Sequence, residues 1–174
     1  MKRLNSPDGQ GVLHFVTLKV RDRKTPFRRA EYARMICELL RFECDRHPAT
    51  LVAFVVMPDH IHALLGPSDG ELTRFLQRFK PNATRNLDAL ALQMERQRDR
   101  DWLSEKGPRE LWQDGKYSLP IYSPEWIREK IDYIHSNPIR KGLVDDASAY
   151  PWSSYGAYCP ESLHVPPVAV DLVK

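Results

Sequence analysis

"VVMPDHIHALL", Val55 to Leu65, sets two histidines, His60 and His62, on either side of one isoleucine, just beyond a Pro58-Asp59 turn. In an extended strand residues i and i+2 point to the same face, so these imidazoles project together while Ile61 and Ala63 face the other way. Two convergent imidazole nitrogens are half of a metal site; a divalent ion needs a third protein ligand and open positions for substrate. A half-solvated strand with two polar residues has the same spacing. The apolar run before it, "TLVAFVVM" (Thr50 to Met57), argues instead for a strand buried on both faces and a partly buried pair.

A second constellation lies some seventy residues on. In "SPEWIREKIDYIHSNP" (Ser123 to Pro138) a Ser cap and Pro124 at the first helical position open a helix. Trp126, Lys130, Tyr133 and Asn137 fall on one stripe of it, and Ile127, Ile131 and Ile134 on the adjacent one. If the isoleucines anchor the helix on a sheet, Tyr133 sits at the edge of the core with its hydroxyl within reach of a ligand. A core-edge tyrosine with its hydroxyl in water fits the same pattern. Lys130 can offset developing negative charge or simply face solvent. Asn137 precedes a proline, which biases it out of the α conformation, so its side chain serves either as a helix-end cap or, through the amide oxygen, as a metal ligand.

The positioning elements follow from periodicity. "VLHFVTLKV" (Val12 to Val20) predicts a strand running into a basic loop, and Ala33, Ile36, Leu40 and Cys44 mark a helix within Phe27 to Arg46, stopped at His47-Pro48. Thr50 to Met57 and "HIHALL" form a hairpin, with a loop at Gly66 to Gly70. Leu72, Phe75, Leu76 and Phe79 predict a second helix, kinked or ended by Pro81. Residues 82–107 are charge-dense and are expected to be helix followed by a mobile linker. Leu111 to Tyr122 can hold another strand. The fold class expected is α+β, one mostly antiparallel sheet with helices packed on one side, in a single domain over residues 1–174 whose proline-rich tail, 160–174, lies along the surface.

"MPDHIHALL", then "EKIDYIHSNPIRKGLV", then "YPWSSYGAY" together resemble the REP-associated tyrosine transposases, relatives of the single-tyrosine HUH transposases of small insertion sequences. The resemblance runs from the first strand to about Tyr158. It implies a central antiparallel sheet with flanking helices, of ferredoxin-like HUH endonuclease type. It implies that His60 and His62 bind a divalent cation with Asn137 joining the shell, and that Tyr133 is the nucleophile. The substrate implied is single-stranded DNA with short hairpins, such as repetitive extragenic palindromes. A tyrosine hydroxyl, with a pKa of about 10, is a poor nucleophile at neutral pH but a better leaving group than an alkoxide, which suits reversible phosphoryl exchange. With Mg²⁺ or Mn²⁺ at the pair, the products expected are a 5′-phosphotyrosine on Tyr133 and a free 3′-OH. A monomer is expected, with a homodimer as the alternative.

Charge distribution is compatible with a polyanionic partner. Lys and Arg number 26 against 23 Asp and Glu, but the basic residues cluster: Lys19, Arg21, Arg23, Lys24, Arg28 and Arg29 between Lys19 and Arg29, and Arg74, Arg78, Lys80 and Arg85 between Thr73 and Arg85. With Lys130 these are the candidate DNA contacts, solvated faces being the alternative for each patch. Trp112, Trp152, Tyr155 and Tyr158 are candidates for stacking bases or for core. Three cysteines without CxxC spacing speak against a disulfide framework or a zinc knuckle and for a reducing cytoplasm. The N-terminus has no apolar segment behind its charge, and no apolar run reaches membrane-spanning length. Two other readings remain open: a non-catalytic hairpin-DNA-binding regulator of the same fold, and a zinc hydrolase using His60, His62 and His135 or His164. No HExxH motif supports the latter.

Overall fold

The computed structural model describes residues 12–104, 111–115, 117–159, 161–162 and 165–173, with the backbone alone at 102–104. Four strands, β1 (Leu13–Lys19), β2 (Ala49–Met57), β3 (His60–Pro67) and β4 (Tyr117–Ile121), form one antiparallel sheet in the order β2-β3-β1-β4. The expected hairpin is β2–β3, turning at Pro58-Asp59. β4 is an edge strand, the place where Pro120, which has no N–H to donate, is tolerated.

Helices cover both faces of the sheet, not one as expected. α1 (Ala30–Arg46) and α2 (Leu72–Gln93) pack over Val16, Leu18, Phe54, Val56, Ile61 and Ala63. α4 (Pro124–Arg140) presses Ile127, Ile131 and Ile134 onto Leu13, Phe15, Val55 and Leu64. The cause is legible in β2, whose nine residues are all buried: a strand apolar on both sides needs cover on both sides.

Neither of two prolines ends its helix. α2 continues through Pro81 to Gln93, because Phe75 and Phe79 before it and Ala83, Leu87 and Ala91 after it are all buried along one seam, and their packing outweighs one missing hydrogen bond. The Asn82 amide donates to the buried Glu43 carboxylate of α1 and ties the two helices beyond that point. Likewise α4 runs through Asn137-Pro138 to Arg140, with both residues buried, so Asn137 is a helical residue and not a terminal cap. The segment expected to be a linker forms α3 (Gln97–Ser104), held to α1 where Tyr32 donates to Asp99 at 2.8 Å and Arg29 pairs with the same carboxylate at 3.0 Å.

The free edge of β2 is occupied by the C-terminal segment. Val56 N–H donates to Trp152 O and Ser154 N–H to Phe54 O, just ahead of the one-turn α5 (Tyr155–Tyr158). Further on, Asp171 N–H donates to Leu51 O while its carboxylate accepts from Leu51 N–H and Arg41. These bonds satisfy backbone groups that an open sheet edge would expose. Among the described residues no helix is long and apolar enough to cross a membrane.

Candidate active site

β3 carries His60 and His62 to the face covered by α4, while Ile61 and Ala63 enter the core under α1 and α2, as the alternation requires. The β1–β3 register sets Thr17 directly opposite His62 and Lys19 opposite His60. The two imidazoles meet through their Nε2 atoms, 3.1 Å apart. Each outer nitrogen is held: His60 Nδ1 lies 2.6 Å from the Asp59 carboxylate, and His62 Nδ1 lies 2.9 Å from the Thr17 hydroxyl. Asp59 can only accept, so His60 Nδ1 donates to it. His62 is 6% exposed, and burial, then His60 and Lys19, pushes its pKa down from 6.5 to about 3. It is a neutral imidazole at any physiological pH.

α4 brings Tyr133 against this pair. Its ring meets His62 edge-on with centroids 5.4 Å apart and Phe15 at 5.6 Å, while the Arg140 guanidinium lies 5.1 Å from its centroid. Asn137, one turn further along α4, is buried and lines the same space. An open cleft of about 1340 Å³ thus gathers His60, His62, Tyr133 and Asn137 from a strand and a helix far apart in sequence. Among the described residues no three His, Cys, Asp or Glu side chains gather at a potential metal site.

The basic residues divide. Lys19, Arg21, Arg23 and Lys130 line the cleft. Lys130 lies 5.8 Å from the Phe15 ring centroid and 2.7 Å from Glu129. Lys24 and Arg28 are exposed but do not line it, and Arg29 is engaged by Asp99. Arg74, Arg78, Lys80 and Arg85 ride on α2, across the sheet from the histidines. There Arg74 pairs with Asp69, Arg85 donates to Asn82, and Lys80 donates to Gly115 O at 2.8 Å. Three of the four candidate stacking aromatics are engaged in the fold: Trp112 is buried against Phe27 and Phe79, Tyr158 donates to Val52 O, and Trp152 lies under Arg34. Tyr155 is half-buried beside His135.

Several residues of the site were not singled out from sequence. Thr17 and Phe15 become visible only with the strand register. Lys141, at i+4 from Asn137, lines the cleft, and Arg140 braces Tyr133; both lie on the same helical face as residues that were singled out, but beyond a proline read as a stop.

His135 does not join the pair, which corrects the zinc reading. It faces the opposite side of α4, where its Nε2 lies 2.9 Å from Ser154 Oγ and its ring packs on Tyr155 and Tyr158. His164 lies outside the described residues. Burial pushes the His135 pKa down from 6.5 to about 4. The unfolded chain takes up this proton as pH falls through 6.5 and the folded chain resists it until about 4, so stability falls across that window, by up to roughly 3 kcal/mol from this group. In urea titrations the stability difference between wild type and His135→Gln should therefore shrink from pH 7 to pH 4; a constant difference would mean that His135 is not desolvated.

The family model described as "Transposase IS200 like" matches residues 10–137, which span β1 through the Asn137 turn of α4. A Haemophilus influenzae protein described as "Putative REP-associated tyrosine transposase" is 27% identical over 148 residues, covering 84% of this chain and 81% of that one. A REP-associated tyrosine transposase of Escherichia coli is 23% identical over 146 residues, covering 84% and 78%. In fold, the chain is similar to a solved REP-associated tyrosine transposase bound to a REP hairpin, with a TM-score of 0.64 at 19% identity, over 100% of this chain and 93% of that one. The α+β sheet, the strand-borne histidine pair and the helical tyrosine all lie within the matched span, and the chain belongs to the IS200-like transposase family.

Proposed function

We propose that this chain is a metal-dependent single-stranded DNA endonuclease and strand transferase that cuts near hairpins through a 5′-phosphotyrosine on Tyr133. The observation that supports it best is the meeting of the phenol ring of α4 with the imidazole pair of β3 in a cleft rimmed by Lys19, Arg21, Arg23, Lys130 and Lys141. In this reading the basic rim draws the phosphate backbone in. Tyr133 Oη attacks the phosphorus in line, losing its proton to solvent; the bond to the 3′-oxygen breaks, and that oxygen leaves as a hydroxyl after taking up a proton. The ester energy is retained on the tyrosine, so the reverse attack by a 3′-OH rejoins strands without a nucleotide cofactor. The hairpin preference rests on the relatives, one of which was solved with a REP hairpin.

The donor set fits a divalent cation. The two imidazoles bring their Nε2 atoms 3.1 Å apart, close to the roughly 3.0 Å between ligands at a right angle about an ion with bonds of about 2.1 Å. Both outer nitrogens have the carboxylate or hydroxyl partners usual behind metal-bound histidines. His60, His62 and the Asn137 amide oxygen would hold Mg²⁺ or Mn²⁺, which would neutralise charge on the scissile phosphate. Thr17 suits this role because its hydroxyl serves either tautomer of His62. It donates to a bare Nδ1 while Nε2–H bonds His60, and it accepts from Nδ1–H when Nε2 is needed as a ligand. Thr17→Val should lower Mn²⁺ affinity about 10- to 100-fold in calorimetry, and Thr17→Ser should restore it; equal affinities would leave the hydroxyl without that role.

The reading is tested by incubating the protein with labelled single-stranded hairpin DNA and Mg²⁺ or Mn²⁺, then denaturing. A protein–DNA adduct that resists denaturation and is lost with chelator is expected. Tight hairpin binding with no adduct under any metal would instead make the chain a binding regulator.

A further inference from the structure

β4 turns Tyr117, Leu119 and Ile121 to the face that α4 covers, and their burial is graded. Ile121 is fully buried under the helix and Leu119 packs at its margin, while Tyr117, at the cleft, is 59% exposed. An aromatic ring left this bare beside a catalytic cleft needs an explanation, because a strand residue facing the core side normally has its apolar surface covered. Tyr117 is not loose, however. Its ring meets Phe15 edge-to-face at 6.3 Å and 77°, and Phe15 is in turn stacked on His62 at 5.2 Å and edge-on to Tyr133. Tyr117 and Tyr133 therefore flank one central ring, the first offering surface and the second a hydroxyl, and Lys19, Arg21 and Arg23 line the same cleft. Flat aromatic surface beside backbone-directed cations is the combination that binds unpaired nucleotides whatever their sequence.

We propose that Tyr117 is the stacking platform for one unpaired base of the DNA strand, a base-binding subsite next to the position where Tyr133 acts. The inference rests on the single-stranded DNA reading above. It adds that the strand enters with at least one base unstacked from its neighbours and laid on the Tyr117 ring, so that a fully paired duplex cannot use the site. Of the four aromatics considered for stacking from sequence, Trp152, Tyr155 and Tyr158 do not line the cleft, and Trp112, which does, is only 3% exposed and packed against Phe27 and Phe79.

The test measures binding alone, by fluorescence anisotropy with a labelled oligothymidylate of about ten nucleotides, in chelator and on the full-length Tyr133→Phe chain so that no cutting intervenes. Adding Tyr117→Ala should weaken binding about 5- to 100-fold, the usual worth of one base stack, and Tyr117→Trp should stay within about 3-fold of the parent. Moving a single abasic site along the oligonucleotide should find a position that weakens the parent but adds nothing to the loss in Tyr117→Ala. Binding of Tyr117→Ala within about two-fold of the parent, or abasic losses identical in both proteins, would overturn the platform, as would a parent that does not bind single strands. The two readings fail separately. An adduct that forms equally well with Tyr117→Ala sinks the platform only, whereas Tyr117-dependent binding in a chain that never forms an adduct sinks strand transfer only.

Discussion

Tyr133→Phe is expected to bind hairpin DNA as tightly as wild type, to form no covalent adduct, and to cleave at least about 10⁴-fold more slowly. The substitution is close to surgical. Phe15, His62 and Arg140 all contact the Tyr133 ring, and those contacts survive in phenylalanine. The hydroxyl has no side-chain partner among the described residues, so stability should change by no more than about 0.5 kcal/mol. Other tyrosines supply the control. Tyr150 donates to Val56 O at 2.8 Å and Tyr158 to Val52 O at 2.7 Å, so removing either hydroxyl leaves a buried carbonyl without a partner. Tyr150→Phe and Tyr158→Phe should each cost about 1 kcal/mol in urea titration and still form the adduct. Loss of stability and loss of the adduct thus belong to different tyrosines. An adduct that persists in Tyr133→Phe would move the nucleophile to another hydroxyl, with Tyr117, the other tyrosine lining the cleft, the first to examine.

What the sequence made legible was whatever has a period. His60 and His62 share a face because strands alternate, and Ile127, Ile131 and Ile134 seat α4 because helices repeat at 3.6; together these suffice to aim Tyr133 at a sheet. What stayed hidden depends on pairing between distant segments. Thr17 stands behind His62 only because β1 and β3 meet in one particular register, and a slip of one residue would have set the apolar Leu18 or Val16 opposite the imidazole instead. Phe15 becomes the hub of the ring cluster for the same reason. Pro81 and Pro138 do not end their helices because local propensity is a weak term: each proline removes one helical hydrogen bond, while the seam around Pro81 buries apolar side chains on both sides and α4 buries Ile131, Ile134 and Pro138 itself. Reading Pro138 as a stop also hid Arg140 and Lys141, which the continued helix carries to Tyr133 and the cleft.

His62→Ala should cost more activity than His60→Ala, because His62 has two jobs. Both substitutions remove one imidazole from the pair, and on the proposed mechanism loss of the cation's charge stabilisation, worth several kcal/mol, should slow cleavage by about 10³-fold in either case. Only His62 also contacts the Tyr133 ring and stacks on Phe15, so its removal leaves a void beside the proposed nucleophile and frees the phenol to leave the line of attack. A further loss of about 10-fold is expected from that misplacement. Hairpin affinity, which the proposal assigns to the basic rim, should stay within about 3-fold for both variants. Mn²⁺ binding followed by electron paramagnetic resonance, without DNA, reads the ligand role independently of turnover, and it should be lost in both. Stability supplies the sign of the electrostatics. At pH 7 His62→Ala should be less stable than wild type, since Thr17 loses its partner in a buried position. Wild type, however, loses stability by keeping His62 neutral as pH falls from 6.5 toward 3, and the variant does not, so the two should converge in acid. If Mn²⁺ bound His62→Ala as well as wild type, the imidazole pair would be a structural hydrogen bond, and the cation would have to lie elsewhere in the cleft.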